Sequence, residues 1–485
     1  MIFKPSHKLA IFALVSIILY TGCSPLQKLT VLTNMEPDQD YYFKNTLLKE
    51  YEKKTSIKVN VLKYRNSDSL ERYLQMYSGK VNLVLVPDEK SRFLLKMGYF
   101  KPLDLFLTPE EVRFFNNNYL LSSFGMADAR PTLIPRQFET SLLVYSKSRL
   151  NDALQRWPEL KEKISSDIKK NNSFGLPAGY SLEADPSKWD YYDIAVVGLI
   201  WANTDYNGNM SSRVAHRARK NSELSTYLEN SIYQLNGDSA AISSCRGDAV
   251  VDAIQWEAFY AASGTYNKNM WEKGLSGAEL LEMFASGEIF LTTLTQAECF
   301  YLHGTGHAER KGLLKDPSDL GVALMPTACS FELNEKGEVL HKGVKSVATK
   351  CSWWGIPFNA SSVTLSYRLA KFLSDTAVQV GECSRFGMIP VRKEVVNAMS
   401  VVFKDAWAKD VLGTALGQIV LNGSLAQTSN SNSDKISSLY IELWYDVVGG
   451  YNWAESVGSV PDRSYIKKLI ESKYAPRALR IPSGS

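Results

Sequence analysis

Apolar positions in the first part of the chain change their spacing several times. Residues 28–35 are apolar and β-branched, apolar side chains from 43 to 51 recur at four-residue steps, and residues 57–61 return to alternation. Alternation is typical of a strand, and a four-residue step is typical of a helix. The pattern therefore predicts a strand, a helix and a second strand in that order.

The same alternation of element types continues to residue 98. A helical stripe from Leu70 to Tyr77 ends at Gly79, residues 81–86 are almost continuously apolar, and a further helical stripe ends at Gly98. A continuous apolar run is expected of a strand that helices cover on both faces of a parallel sheet. Such doubly wound α/β sheets bind ligands beyond the carboxyl ends of their strands, which here are residues 34–40 and 87–90.

The remainder of the chain is more helical. Strands are predicted at 141–145, 289–294 and 350–358, and helical patterns with aromatic loops fill most of 150–350. A chain of 485 residues is too long for one hydrophobic core, because single cores stop growing at roughly 250–300 residues. We therefore expect an α/β protein with two lobes.

Composition and charge exclude several classes. Hydrophobic residues make up 45% and charged residues 22%, which is typical of a folded body and not of a disordered or collagen-like chain. The net charge of +4 is too small to supply a phosphate-binding face on a chain of this length. Nucleic acid is therefore not an expected partner.

Residues 1–22 have the features of a signal peptide. Lys4 and Lys8 precede an apolar run of residues 9–20, which is too short to span a bilayer of roughly 30 Å as a stable helix. The run ends in Leu-Tyr-Thr-Gly-Cys, which resembles the lipobox of bacterial lipoproteins, with Tyr20 where Leu is usual. The resemblance implies that Cys23 is acylated, with palmitate among the acyl chains, and anchors an exported protein facing the periplasm or cell exterior. The alternative is an uncleaved or conventionally cleaved signal peptide.

The five further cysteines form no C-x-x-C pair, and their spacing does not match that of a zinc site. Disulfides are an option in an exported protein, but a body of this size does not need them. Buried free thiols are the favoured interpretation, and no pairing is assigned.

Four stretches resemble family 1 extracellular solute-binding proteins, the maltose-binding-protein-like receptors of ABC importers. They are 43–62, which contains Glu-Tyr-Glu-Lys-Lys-Thr-Ser-Ile-Lys-Val, 84–104 with its Gly-Tyr-Phe-Lys-Pro-Leu-Asp turn, 134–150, and 371–391, which ends in Gly-Met-Ile-Pro-Val. They occur in the family's order and spacing over about 28–400.

The resemblance implies a type II periplasmic-binding-protein fold with a ligand cleft between two lobes. The first lobe would comprise 28–137 and 357–395, and the second 138–354 and 396–485, with hinge crossings at 135–142 and 353–357. It further implies a monomer without cofactor or metal, which binds a small solute, expected to be a saccharide, and delivers it to membrane permease subunits.

Five acidic residues are candidate ligand contacts. Asp88 follows a predicted strand and matches a ligand-binding acid of the family, although it is also suited to be the N-cap of the next helix. Glu139 matches the family's acid at the hinge, with pairing to Arg136 as the alternative. Glu36, Asp38 and Asp40 follow the first strand and either reach solute hydroxyls or are solvated acids of a first helical turn.

Two tryptophans and two further polar residues complete the candidate set. Trp353 and Trp354 stand where the family has small residues, and because neighbouring strand residues point oppositely, at most one is expected to face the cleft. Gln296 and Glu298 follow the strand predicted at 289–294, where the family's stacking tryptophan is missing. Trp201 lies in a helical context and is expected to be a core residue.

The sequence contains none of three common catalytic and nucleotide-binding motifs. The chain contains no G-x-S-x-G, H-E-x-x-H or G-x-x-x-x-G-K-[ST] sequence. His303 and His307 have a metal-ligand spacing, but the glycines between them favour a flexible loop. A carbohydrate hydrolase using carboxylates such as Glu288 and Glu298, or a surface adhesin lipoprotein, stays open as the alternative function.

Overall fold

The computed structural model describes residues 28–120, 125–127, 130–235, 237–304, 311–345, 347–420, 424–426, 433–449 and 461–481. The predicted signal peptide, Cys23 and His307 lie outside the described residues. The chain forms two compact units. Unit 1 consists of Met1–Arg136 and Ser352–Gln379, and unit 2 of Gln137–Cys351 and Val380–Ser485. The chain therefore passes from one unit to the other three times.

Short strands alternate with helices through most of the chain. The strands are β1 Lys28–Thr33, β2 Lys58–Lys63, β3 Leu83–Val86, β4 Met126–Ala127, β5 Arg130–Pro131, β6 Leu133–Glu139, β7 Ser141–Ser146, β8 Leu291–Thr295, β9 Leu320–Ala323, β10 Val347–Gly355 and β11 Ser424–Ala426. The helices up to Ala262 are α1, built from Pro37–Tyr42, a π turn Phe43–Leu47 and Leu48–Thr55, then α2 Leu70–Met76, α3 Asp88–Lys96, α4 Pro109–Asn118, α5 Lys147–Asn172, α6 Tyr191–Ala202, α7 Ser222–Gln234, α8 Ser239–Ser244 and α9 Asp248–Ala262. The later helices are α10 Gly277–Ser286, α11 Gln296–His303, α12 Val363–Leu373, α13 Thr376–Phe386, α14 Lys393–Asn397, α15 Met399–Val402, α16 Ala406–Val420, α17 Ser433–Trp444 and α18, built from Arg463–Leu469, a π turn Ile470–Tyr474 and Ala475–Ala478.

The sheet of unit 1 has the strand order β2-β1-β3-β10. β1 is parallel to both β2 and β3, whereas the end of β10 runs antiparallel to β3, with Trp353 opposite Val86. All four residues of β3 are buried, as expected for a central strand covered on both faces. The predicted order of strands and helices up to residue 98 is thereby confirmed.

Left-handed glycines end two helices of unit 1. Gly98 follows α3 with φ of 69°, and Gly79 lies in the turn after α2 with φ of 74°. Both are conformations that glycine adopts without steric cost and most other residues do not. These turns bring the chain back toward the amino edge of the sheet, where β3 begins.

Unit 2 contains a three-stranded antiparallel sheet of order β8-β7-β9 within a largely helical body. The predicted strand at 350–358 is instead Val347–Gly355, because pairing with β3 ends at Gly355 and Pro357 has no backbone N–H to extend a ladder. Trp201 is fully buried and its Nε1 donates to the Arg149 carbonyl at 3.0 Å, which confirms its predicted place in the core.

The cysteines that the structure describes are all buried and free. Burial raises the pKa of the Cys245 thiol to about 12, so this group is an unreactive thiol at neutral pH. Within the described part of the chain, none of the helices has the length and apolar character needed to cross a membrane.

Candidate functional site

Two neighbouring parallel strands of unit 1 end beside one another. β1 and β3 are paired with Leu32 opposite Val84, so their carboxyl ends lie at the same edge of the sheet. The helices α1 and α3 begin directly after these strands and place acidic residues in their first turns. Acids are favoured there because the N-terminus of a helix carries partial positive charge.

The acids after β1 differ in their environment. Glu36 is the N-cap residue of α1 and is exposed, and Asp38 is exposed in the first turn. Asp40 is buried and lies 2.9 Å from both Lys44 Nζ and Lys63 Nζ. Burial acts to raise the pKa of Asp40, but the two lysines outweigh it and hold the pKa below its usual value. Asp40 is therefore already charge-balanced within the protein, whereas Glu36 and Asp38 are accessible.

Asp88 is the first residue of α3 and is half-buried. The alternative interpretation of Asp88 as the N-cap is wrong, because the N-cap is Pro87, which has extended backbone angles. Asp88 instead belongs to the first helical turn, and its carbonyl accepts a 2.7 Å hydrogen bond from Ser91 Oγ. Asp88 therefore lies at the carboxyl edge of the sheet, directly after β3.

Trp353 and Trp354 are both buried, with 1% of each exposed. Trp354 stacks on Phe43 with ring centroids 5.9 Å apart, and the Arg136 guanidinium carbon lies 5.8 Å from its ring. The Trp353 ring fills the space beside Gly125, where an added Cβ would lie 2.8 Å from it. Neither indole N–H has a hydrogen-bond partner in the part of the chain that the structure describes. Both rings are therefore packed in the interior of unit 1 at this end of β10.

The predicted residues of unit 2 lie at one end of its sheet. β7 and β8 are paired with Ser141 opposite Thr295, so Glu139 at the end of β6 and the start of α11 are near the same sheet end. Gln296 is fully buried, its Oε1 accepts from Thr140 N at 3.1 Å and its Nε2 donates to the Phe138 carbonyl at 3.3 Å. Gln296 thus ties the β6–β7 turn to α11.

Glu298 has two protein partners. Its Oε2 accepts from Thr295 N at 2.9 Å and completes a capping box, and its Oε1 pairs with Arg217 Nη2. Arg217 also contacts Glu223, 3.3 Å away, and donates to the Thr293 carbonyl. Burial acts to lower the pKa of Arg217, but the charges of Glu298 and Glu223, with a smaller contribution from Glu139, raise it above its usual value. The charges of Arg217 and these three glutamates therefore form one electrostatic cluster in unit 2.

Sequence reasoning missed two arginines that the structure brings to these sites. Arg217 lies in an extended stretch without a motif, and its partner Glu298 is 81 residues away. Arg136 is only 3% exposed and had been considered only as a partner of Glu139. The position of Arg136 within the apolar strand Leu133–Glu139 could have indicated its importance. A charged residue in a largely buried strand needs a specific partner or role.

The structure gives no support to metal chemistry in the residues that it describes. No group of three or more potential ligands from His, Cys, Asp and Glu is found among them. His303 stacks on Trp407 with centroids 3.7 Å apart, and burial lowers its pKa. His303 is therefore held as a packed ring.

Comparison with solved structures identifies the fold. Three similar structures are maltose-bound MalE3 of T. maritima, an ABC transporter solute-binding protein of Thermotoga lettingae TMO bound with α-D-tagatose, and the Thermus thermophilus maltotriose-binding protein bound with maltotriose. Their TM-scores are 0.62, 0.61 and 0.61, at 14%, 13% and 13% identity. The matches cover 92%, 92% and 94% of this chain and 99%, 100% and 100% of those chains. The fold is therefore that of two-lobed periplasmic binding proteins, which confirms the predicted fold class.

The sequence itself places the chain within a family. Residues 46–412 match the family described as bacterial extracellular solute-binding protein, and the chain belongs to this family. No curated protein sequence was found to match it. The family comprises exported solute-binding proteins and not enzymes, so the predicted resemblance is confirmed.

Proposed function

We propose that the protein is the saccharide receptor of an ABC importer, anchored to the membrane through acylated Cys23. Family membership supports solute binding outside the cell. The structures bound with maltose, tagatose and maltotriose support a saccharide, because the fold is shared over almost the whole chain. In this proposal two lobes with the predicted bounds close around the solute, release it unaltered to the permease and open again.

The observation that carries the proposal is the carboxyl edge of the unit 1 sheet. Exposed Glu36 and Asp38 and half-buried Asp88 follow adjacent parallel strands. Carboxylates accept hydrogen bonds from sugar hydroxyls. The edge therefore offers acceptors of the kind that a polyhydroxylated ligand requires.

Unit 2 contributes Glu139 in the same proposal. Gln296 is hydrogen-bonded to Thr140 and Phe138, so we assign it to fixing the end of the sheet near Glu139. Glu298 is hydrogen-bonded to Arg217, so we assign it to the charge cluster around Glu139. Trp354, packed on Phe43, is assigned to the support of Trp353 at the other candidate edge. These assignments give Asp88, Glu36, Asp38 and Glu139 direct contacts with solute and make the buried Trp353 and Trp354 rings part of the support beneath the site.

A thermal-shift screen over mono- and oligosaccharides, polyols and peptides tests the proposal. A cognate sugar at 100 times its Kd is expected to stabilise the protein by about 2.7 kcal/mol, with 1:1 stoichiometry in calorimetry. Asp88→Asn should weaken that sugar at least tenfold, whereas Glu110→Gln, an exposed acid of α4 in the same unit, should leave its Kd within twofold. Stabilisation by peptides and by no saccharide would overturn the assignment of ligand class.

Two further measurements separate the proposal from its alternatives. Chromatography of an incubated oligosaccharide should show no product, since appearance of shorter sugars would identify a hydrolase. Cys23→Ser should move the protein from the membrane fraction to the soluble fraction, with Ser24→Ala as the control. Unchanged membrane association of Cys23→Ser would refute the lipid anchor and leave sugar binding unaffected.

A further inference from the structure

A second concave surface lies at the opposite edge of the unit 1 sheet. It is a groove of about 250 Å³ where α2 and α3 end, β3 begins and the chain leaves β10. The described residues that line it are Leu74, Gln75, Tyr77, Ser78, Gly79, Val81, Met97, Gly98, Tyr99, Pro357, Phe358 and Asn359. β3 separates this amino edge from the acids at the carboxyl edge, so the groove is distinct from the site proposed above.

The groove presents aromatic rings held in fixed positions. Tyr99 Oη donates to Glu71 Oε1 at 2.6 Å and accepts from Gln75 Nε2 at 3.1 Å. Phe358 is 57% exposed, its backbone N–H donates to the Tyr99 carbonyl at 2.8 Å, and Lys101 Nζ lies 4.9 Å from its ring centroid. Preorganised rings lose little conformational entropy when a flat apolar surface stacks on them.

Polar groups accompany the rings. Asn359 Nδ2 donates to Ser78 Oγ at 3.0 Å, which links the segment after β10 to the turn after α2 and leaves the Asn359 Oδ1 as an acceptor. Residues at the C-termini of α2 and α3 line the groove, and the C-terminus of a helix carries partial negative charge. The surface is therefore suited to a ligand that carries hydroxyl donors.

Charge and size narrow the ligand class. None of the described lining residues is Asp, Glu, Lys, Arg or His. The volume is slightly below the roughly 300–1,000 Å³ of sites for drug-sized ligands, which limits the occupant to about one sugar ring. We infer that this groove is a second binding site, at the amino edge of the unit 1 sheet, for a neutral pyranose ring. A ligand of this size is expected to bind with a Kd on the order of 1 mM.

Saturation-transfer difference NMR with methyl α-D-glucopyranoside tests the inference. Phe358→Ala and Asn359→Ala should each weaken this binding at least fivefold, whereas Phe174→Ala, which removes a similarly exposed ring from unit 2, should change it less than twofold. Because Phe358 and Asn359 are both exposed, neither variant is expected to lower the melting temperature by more than a few degrees. Glucuronate should bind more weakly than the neutral glucoside, since its carboxylate would lie near the partial negative charge of two helix C-termini.

The outcomes separate this site from the proposed receptor site. Asp88→Asn should leave the Phe358-dependent binding unchanged, even if no sugar is found to bind at the carboxyl edge. Glucoside binding that persists unaltered in both groove variants, or no binding of the glucoside at 20 mM, would overturn the second site. Equal or tighter binding of glucuronate would overturn the neutral ligand class.

Discussion

Trp354 and Phe43 stack with their ring planes 21° apart, and they join a strand from residues 352–379 to a helix from the beginning of the chain. The π turn Phe43–Leu47 presents Phe43, and β10 presents Trp354 one residue after the candidate contact Trp353. This packing gives the second segment of unit 1 a hydrophobic attachment in addition to its backbone pairing with β3.

Trp354→Ala is expected to destabilise the protein by about 3–5 kcal/mol, because a fully buried indole leaves a cavity between Phe43 and Arg136. Urea unfolding measures the change. Trp354→Phe serves as the control, since it keeps a ring on Phe43 and removes an N–H that has no partner among the described residues, and it should lose less than half as much. Losses of less than 1 kcal/mol in the alanine variant would contradict the packing role.

Two glycines in unit 2 should respond to alanine substitution with opposite changes in stability. A Cβ on Gly343 would lie 1.7 Å from the backbone oxygen of Gln234, so Gly343→Ala should prevent normal packing and lower the melting temperature sharply. Gly413 lies inside α16 with nothing within 4 Å of an added Cβ, and Gly413→Ala should stabilise the protein by about 0.5–1 kcal/mol. Differential scanning calorimetry measures both, and similar melting temperatures for the two variants would count against the described backbone approach.

Asp193 should make part of the stability depend on pH. Burial and the charge of Asp190 raise the pKa of Asp193 to about 6, although hydrogen bonds from Tyr180 Oη and Asp190 N favour its charged form. Between about pH 4 and pH 6 the folded state keeps a proton that the unfolded state has lost, so stability falls as the pH rises. By pH 7 the contribution lost is about 2 kcal/mol relative to pH 4.

Asp193→Asn removes this titration. The unfolding free energy of the variant minus that of the wild-type protein should therefore rise by about 2 kcal/mol from pH 4 to pH 7, measured by urea denaturation at several pH values. The difference isolates Asp193, because other carboxylates titrate equally in both proteins. A difference that stays flat between pH 4 and pH 7 for Asp193→Asn would refute the prediction.

Glu298→Gln tests whether Glu298 acts on stability or on ligand. The substitution leaves Arg217, whose side chain is 14% exposed, without its main counter-charge, and we expect a loss of about 3 kcal/mol. Glu223→Gln removes the more exposed partner of the same arginine and should cost less than about 1 kcal/mol. Thermal unfolding gives the comparison. Unchanged stability of Glu298→Gln together with weaker sugar binding would instead assign the residue to the ligand.

The fold class was accessible from the sequence because the hydrophobic period is a local property. The alternation at Lys58–Lys63 and the continuous apolar residues of Leu83–Val86 report directly which faces of a strand are buried. Element ends were less accessible. The end of β10 is decided by its pairing with β3, a strand far away in sequence, and the sequence pattern contains no information on that pairing.

The candidate site was only partly accessible. Acids after β1 and β3 were predicted because parallel strands deliver their carboxyl ends to one edge, and the structure places Glu36, Asp38 and Asp88 there. The partners of Gln296 and Glu298 were not visible, since Thr140 and Arg217 are 156 and 81 residues away. Side-chain partners at such separations depend on tertiary packing, which spacing along the chain does not encode.

The divided chain of unit 1 also has a consequence for synthesis. β3 leaves the ribosome long before Trp353, which pairs with its last residue, and the first segment of unit 2 is made between them. Until Ser352–Gln379 arrives, β3 has an open backbone edge that invites pairing with other chains. A carboxyl-terminal truncation before residue 352 keeps this edge open and should therefore aggregate instead of yielding a stable folded unit.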